Sequence, residues 1–370
     1  MTTVWHVPED GIGKNPYGQL LTRSLEARGV RVVPIPYSHL FGRRVFSGRP
    51  DVIHFQFIAP FVLPAGPSRS WSRALVKGPV FLFQVALLRL AGCRIAWTVH
   101  NLVNHERRLA GLEWFFGLLF TRLAHLLIVH GEVARSAVVG AYHLERRADK
   151  VAVIPHPNFI DAYPDRVAPA QARVQLGVGA DTVMIACLGM IRPYKGLLEL
   201  VRAFRALPED GRAELWIAGE PVDASLATDL RREANGSPRI HLRFDFLSPD
   251  EVEVLLKACD VVAMPYRSIL TSGAALLAMS FAKPCVAPRL GCLVEVLDES
   301  GALLYDPTDP DGLRGALARV IESSARLPAM GQHNRTRATA WSWSAAADLL
   351  LAHYGRLLPA GRRRGDAESA

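Results

Sequence analysis

The sequence predicts an α/β protein made of two Rossmann-like units, and three observations carry that prediction. Short apolar, β-branched runs alternate with helical patterns along the whole chain, the signature of parallel strands buried under helices on both faces. The strand candidates fall into two series separated by a proline-rich stretch. The 370 residues suffice for two domains with separate cores, and 50% hydrophobic with 8% aromatic content excludes an intrinsically disordered chain.

In chain order, the first series reads Thr3 to Val7, Arg31 to Pro34, Asp51 to Phe57, Arg94 to His100, His125 to His130 and Val151 to Pro155. Between the first two lies a helix from Tyr17 to Arg28, with Asn15 placed to cap it and Pro16 in its first turn. Pro155 to Ala180 has no long periodic run and reads as the linker. The second series runs Val183 to Gly189, Glu214 to Gly219, Ile240 to Phe246, Val261 to Pro265 and Pro284 to Ala287. A helix from Pro310 to Ser323, the WSW at Trp341 to Trp343 and a last apolar helix from Ala345 to Leu358 complete the chain. The domains expected are therefore 1–160, 161–340, a terminal helix over 341–358 and a disordered tail over 359–370.

The formal charge is +8, and it is unevenly placed. Residues 1–165 hold 19 Lys and Arg against 11 Asp and Glu, whereas the remainder balances. A basic half faces something anionic, whether nucleic acid, a phospholipid surface or an acidic substrate. Scattered cations and the absence of a recognised binding motif disfavour nucleic acid. Met1 leads straight into the strand-like TTVWHV, which predicts no secretory signal. The longest uncharged stretch, Val52 to Ser68, is broken by Pro60, Pro64 and Pro67, so no bilayer-spanning helix is expected. Cys93, Cys187, Cys259, Cys285 and Cys292 form no metal-ligand spacing and read as buried thiols in a reducing cytosol.

Two stretches carry chemistry. Gly11-Ile12-Gly13 follows the first strand and opens a helix, where backbone amides can receive phosphate. A dinucleotide fingerprint would need a third Gly where Pro16 stands and an acidic residue at the end of the second strand, which instead reads Val33-Pro34-Ile35-Pro36. A nicotinamide enzyme is thus disfavoured, and Gly13, Lys14 and Asn15 remain either a ligand loop or an ordinary turn. The second stretch, CLGMIRPYKGLLELVRAFRAL from Cys187, is a strand, a turn at Gly189, two cations at Arg192 and Lys195, a Gly and an amphipathic helix. A fork from Arg, a point charge from Lys and the dipole of the following helix suit a diphosphate. A solvated basic turn is the plainer alternative.

The second half resembles the retaining nucleotide-sugar glycosyltransferases of family 4, which adopt the GT-B fold, two Rossmann-like domains with parallel sheets facing across a cleft. The resemblance rests on Lys195-Gly196 with LxxLVxAFxxL, on SPDEVEVLLKACDVVAMPY, on AKPCVAPRLGCLVEVL and on LLYDPTDPDGLRGAL. In the first half NPYGQLLTRSLEARGVRV and TVHNLVNHE are similar to the corresponding helix and loop. The resemblance implies acceptor binding by the first domain, donor binding by the second and transfer in the cleft. Carried over by position, Lys195 contacts the donor diphosphate, Glu295 matches the acidic residue of the GGxPE turn, and His100 matches the histidine facing the donor sugar. Lys14, Asn15, Tyr17 and Asn101 fall in the acceptor region.

Two departures matter. The family's Arg five residues before the Lys falls on Met190, so Arg192 must reach the phosphates from elsewhere. The family's two glutamates, with seven residues between them, align with Leu270 and Ala278, and both are lost, as in a subgroup lacking the usual pair. Their replacement, Thr271-Ser272-Gly273-Ala274, opens a helix with hydroxyls and backbone amides. The implied reaction retains configuration at the anomeric carbon, the leaving diphosphate being stabilised by Lys195 and Arg192 and acting as base. No metal or cofactor is expected, the nucleoside-diphosphate sugar being a co-substrate.

Pro79 to Ala91 and Leu112 to His125 are apolar around most of the helix, which predicts buried helices flanking the first sheet. The alternative is an interfacial surface, with Trp114, Phe115 and Phe116 in lipid and Arg107, Arg108 and Arg122 at anionic headgroups. The expectation is a cytoplasmic transferase at the inner face of the membrane, acting on a saccharide or glycolipid in polysaccharide biosynthesis. A non-hydrolysing nucleotide-sugar epimerase and a non-catalytic sugar-nucleotide or membrane-binding module are the alternatives.

Overall fold

The computed structural model describes residues 1–7, 16–35, 48–63, 71–103, 109–209 and 212–359. The chain divides into two compact units, Met1–Pro155 with Trp343–Ala370, and His156–Ser342. Gly11, Gly13, Lys14, Asn15, Arg107, Arg108 and nearly all of the expected tail lie outside the described residues.

The first unit holds strands β1 (Thr3–Val7), β2 (Arg31–Pro34), β3 (Val52–Phe55), β4 (Arg94–Thr98), β5 (Leu126–Val129) and β6 (Val151–Val153). They form one parallel sheet in the order β2-β1-β3-β4-β5-β6. Its helices are α1 (Tyr17–Glu26), α2 (Ala59–Val62), α3 (Trp71–Leu90), α4 (Ala110–Leu123) and α5 (Glu132–Ala141). Pro16 is the N-cap residue of α1 rather than part of its first turn.

Helices α3 and α4 differ from the buried pair the sequence predicts. They cross where Gly78 meets Phe116, a Cβ at Gly78 falling 2.2 Å from the Phe116 ring. Below that crossing Phe81, Val85, Phe116 and Phe120 are buried. The opposite face of α3 is open and apolar: Leu75 is 56% exposed, Phe83 64% and Leu90 83%. On α4, Phe115 is exposed, but Phe116 belongs to the core and Trp114 donates its indole N–H to the Ala141 carbonyl at 2.9 Å. Of the alternative lipid-facing set, Phe116 is buried in the core and Trp114 is half-buried, because an apolar helix gives no period from which to choose its buried face.

The second unit holds β7 (Val183–Leu188), β8 (Ala213–Ala218), β9 (Ile240–Arg243), β10 (Val261–Ala263), β11 (Cys285–Pro288) and β12 (Ala302–Tyr305). This sheet is also wholly parallel, in the order β12-β11-β10-β7-β8-β9. The helices are α6 (Pro169–Leu176), α7 (Leu197–Arg205), α8 (Ala224–Ala234), α9 (Pro249–Ala258), α10 (Gly273–Ser280), α11 (Leu293–Val296), α12 (Gly312–Glu322) and α13 (Leu327–Thr339). Edge strand β12 has no counterpart in the sequence reading, since four residues before an Asp-Pro turn give too short a pattern. The stretch expected as a linker carries α6 and is built into this unit. The last helix, α14 (Trp343–Leu357), packs Ala347, Leu350 and Tyr354 into the core of the first unit. Arg28 holds Asp348 with two hydrogen bonds, of 2.5 and 2.9 Å.

Candidate functional site

In the second unit the predicted residues gather at the carboxyl ends of three adjacent strands, β7, β10 and β11, where open α/β sheets bind ligands. Strand β7 is buried throughout and ends at Gly189, whose φ of +93° turns the chain sharply. The loop that follows is tied to its neighbour after β8, Ile191 N–H donating to Glu220 and Val222 N–H to Ile191. A Cβ at Gly219 would lie 2.3 Å from the Gly189 carbonyl oxygen, so the two turns abut backbone to backbone.

A short 3-10 turn, Pro193–Lys195, then folds Lys195 back over the strand end. Its side chain is buried, Nζ donates to the Leu188 carbonyl at 3.0 Å, and a Cβ at Gly189 would stand 3.2 Å from Nζ. Lys195 is therefore not the solvated basic turn that was the alternative reading. Loss of hydration holds its ammonium below the ordinary lysine range, and the charge of Arg192 adds to this while Cys187 opposes it. Gly196, at φ +67°, caps α7, and a Cβ there would fall 2.1 Å from the Pro265 carbonyl oxygen. Only glycine brings the start of α7 onto the loop after β10.

Arg192 leans over Met190, its Nη2 lying 3.6 Å from the Met190 sulfur. The guanidinium thus stands at the position where the resemblance leads one to expect an Arg.

After β10, Tyr266 joins the two halves of the site. Its ring is 5.8 Å from that of Tyr194, its hydroxyl hydrogen-bonds Ser272, and burial pushes that phenol well above its usual pKa. The Arg267 N–H donates to the Tyr194 carbonyl at 2.8 Å, and its guanidinium pairs with Glu199 in the first turn of α7. Tyr266, Arg267 and Glu199 were missed as site residues. The sequence signal for Tyr266 and Arg267 was their position directly after an apolar strand, and Glu199 gave none beyond its place in the first turn of a helix.

Ser272 is not the open hydroxyl expected. It is buried and caps α10, accepting from the Ala275 N–H at 3.2 Å. Thr271 beside it has a buried hydroxyl oxygen with no hydrogen-bond partner. Gly273 faces His156 and Phe159, and Ala274 lies in the first turn of α10. No carboxylate occurs from Ile269 to Ser280, and Ala278 is fully buried. Glu295 lies partly buried on α11, its carbonyl accepting from Arg337 at 3.3 Å. The loops bearing Ser272 and Glu295 meet where a Cβ at Gly291 would fall 2.1 Å from the Ile269 carbonyl oxygen. Among the described residues no group of three or more His, Cys, Asp or Glu side chains could hold a metal ion.

In the first unit His100 follows β4, and Asn101 lies half-buried beside it. The His100 ring stacks on Phe57 at 4.9 Å, meets Tyr17 edge-on at 5.3 Å and lies 5.3 Å from His130. Tyr17 also meets Trp343 of α14 edge-on at 5.2 Å, and burial raises its phenol pKa. The structure thus brings His100, Asn101 and Tyr17 together.

Residues 182–323, most of the second unit, match the family described as Glycosyl transferases group 1. The GDP-mannose:glycolipid 4-beta-D-mannosyltransferase of Xanthomonas campestris pv. campestris is 26% identical over 99% of this chain and 95% of its own length. The D-inositol 3-phosphate glycosyltransferase of Segniliparus rotundus is 26% identical over 97% of this chain and 88% of its own length. The chain is a glycosyltransferase with the GT-B fold. Solved structures agree on its fold. Sucrose-phosphate synthase from Thermosynechococcus elongatus superposes with a TM-score of 0.71 at 19% identity, covering 96% of the glycosyltransferase and 99% of that chain. The Anabaena protein HepE in complex with UDP-glucose does so at 0.72 and 17%, covering 96% and 100%. The epimerase and the non-catalytic module find no support among these relatives.

Proposed function

We propose that the protein is a retaining glycosyltransferase that moves a sugar from a nucleoside-diphosphate sugar to a glycolipid or saccharide. The observation that carries the donor half is the buried ammonium of Lys195, folded onto the end of β7 beside Gly189 and the start of α7. A buried cation is costly unless a partner compensates it, and a diphosphate supplies that partner. Arg192 lies above Met190 and adds a forked donor, while Gly189 lets a phosphate approach the backbone.

On this reading Lys195 and Arg192 stabilise the charge that develops on the departing diphosphate, and His100 faces the donor sugar. The acceptor hydroxyl attacks the face the diphosphate leaves, and the leaving phosphate takes its proton. That route needs no paired carboxylates, consistent with the segment that replaces the family's two glutamates. Transfer is independent of metal because two cations supply the charge, so activity should survive EDTA.

The acceptor reading is supported by the mannosyltransferase relative, whose name specifies a glycolipid, and by the open face of α3. Arg122, His143, Arg146 and Arg147 line a cavity of about 370 Å³, with Glu145 the one carboxylate among its lining residues. Beside it burial, together with Arg147, Arg122 and Arg89, pushes the Lys150 ammonium down to about 8. A positive cavity in a unit with an exposed apolar stripe fits an anionic membrane surface, the inner face in a cytosolic setting.

A thermal-shift panel of nucleoside diphosphates and their sugars tests the donor site, since a bound ligand raises apparent stability by mass action. At least one should raise Tm, and the anomeric proton of the product should keep the donor's configuration. A flat panel, or an inverted product, overturns the reading.

A further inference from the structure

Beneath His100 runs a chain of hydrogen bonds that reaches the last helix. Tyr354 Oη on α14 lies 2.8 Å from His54 Nδ1. His54 Nε2 lies 2.7 Å from Thr98 Oγ1 and 3.3 Å from the amide nitrogen of Gln56, and Gln56 Oε1 lies 3.0 Å from His100 Nε2. His54, Gln56, Thr98 and Tyr354 are at most 3% exposed. His54 and Gln56 are two residues apart at the end of an extended strand and so share a face.

Donor accounting fixes the protons of the two histidines relative to each other. Burial, with His6 and His130 nearby, holds His54 well below its ordinary pKa, so it is neutral and carries one N–H. An amide nitrogen only donates, so His54 Nε2 is the unprotonated nitrogen, its single lone pair shared between the Thr98 hydroxyl at 2.7 Å and the Gln56 amide at 3.3 Å. The His54 proton is then on Nδ1 and is donated to Tyr354. The amide oxygen only accepts, so His100 Nε2 carries a proton. Turning the Gln56 amide over reverses every step, and the two histidines still hold opposite tautomers.

We infer that Gln56 is a positioning residue for His100: its amide couples the two imidazoles, so the tautomer of His54, held between Thr98 and Tyr354, fixes the tautomer His100 presents. The inference rests on the reading of His100 as a group facing the donor sugar. Among the described residues, Tyr17, His130, Gln56 and the Phe57 ring contact His100, and none of these four is anionic at neutral pH.

The test is the full chain labelled with 15N-histidine, whose ring-nitrogen spectra report tautomers directly. In the wild type His54 and His100 should show opposite single tautomers, with Nε2–H on His100. In Gln56→Leu the His100 signals should become those of a mixture, kcat should fall about 10- to 100-fold, as when the hydrogen-bond partner that orients a site histidine is lost, and donor KM should change little. Gln56→Glu, which can only accept, should instead hold Nε2–H on His100 and recover part of kcat. It should also move the low-pH limb of the rate profile upward. Like tautomers on the two histidines, or an unchanged His100 pattern in Gln56→Leu, overturns the inference. A tautomer lost as expected with kcat unaffected leaves the coupling standing and removes His100 from the donor-sugar role.

Discussion

Replacing Lys195 by Met separates a ligand-binding role from a structural one, because the two predict different stability changes. The ammonium has three N–H groups, and one is taken by the Leu188 carbonyl at 3.0 Å. Two remain for phosphate oxygens, each charge-assisted bond contributing about 1.5–3 kcal/mol. Their loss is about 3–6 kcal/mol, or roughly 10²- to 10⁴-fold in kcat/KM. Folding responds differently. The lysine's pKa is held down in the folded state, so that state binds fewer protons than the unfolded chain, and stability rises as pH climbs toward the ordinary lysine pKa. Each tenfold displacement of that protonation equilibrium costs the wild type about 1.4 kcal/mol at neutral pH. Met removes this cost and leaves the Leu188 carbonyl unpaired, a penalty of about 1–3 kcal/mol. Lys195→Met should therefore lose no more stability than the carbonyl penalty, lose the alkaline rise in stability, and lose donor turnover. The assays are donor consumption and urea unfolding from neutral to alkaline pH. Turnover within threefold of wild type, or a variant destabilised well beyond the carbonyl penalty, refutes the reasoning.

Three further outcomes follow from the same geometry. Donor diphosphate should restore the proton on Lys195, so calorimetry at alkaline pH in buffers of different ionisation enthalpy should record proton uptake, and affinity should fall as pH rises. Gly29→Ala and Gly196→Ala place a methyl group at φ +76° and +67°, a strain of about 1–2 kcal/mol each; Gly29 has nothing within 4 Å, whereas at Gly196 the Cβ meets a backbone oxygen at 2.1 Å. Equilibrium unfolding should show a clearly larger loss for Gly196→Ala, and equal losses would contradict that contact. Phe83→Ser with Leu90→Ser should leave Tm within the small range of surface substitutions. That variant should cosediment less with phosphatidylglycerol vesicles, and undiminished binding would remove α3 from the membrane reading.

The alternation of apolar runs with helical patterns determined the α/β class, because a strand buried on both faces must be apolar at every position. All six strands of the first sheet and five of the second were legible in this way, β1 and β2 to the residue. Lys195, Gly196 and Arg192 were legible too, since cations between a strand and a helix can point to few places. What the sequence could not supply lies in contacts between distant residues. Tyr266 owes its place to Tyr194 and Ser272, and Arg267 to Glu199. Ser272 reads as an open hydroxyl until the helix it caps is seen to take its oxygen. Leu75 and Phe83 of α3 look as buried as Phe81 and Val85 until the crossing with α4 chooses a face.

The sequence by itself determined two parallel sheets and the cations that follow β7, because local periodicity and the order of residue types survive without a third dimension. Tertiary structure alone decided that Lys195 is buried, which face of α3 is open, and that Tyr354 meets His54 across 300 positions of chain. Burial and hydrogen-bond partnership are properties of what surrounds a group, and here those surroundings come from strands and helices far apart in the sequence.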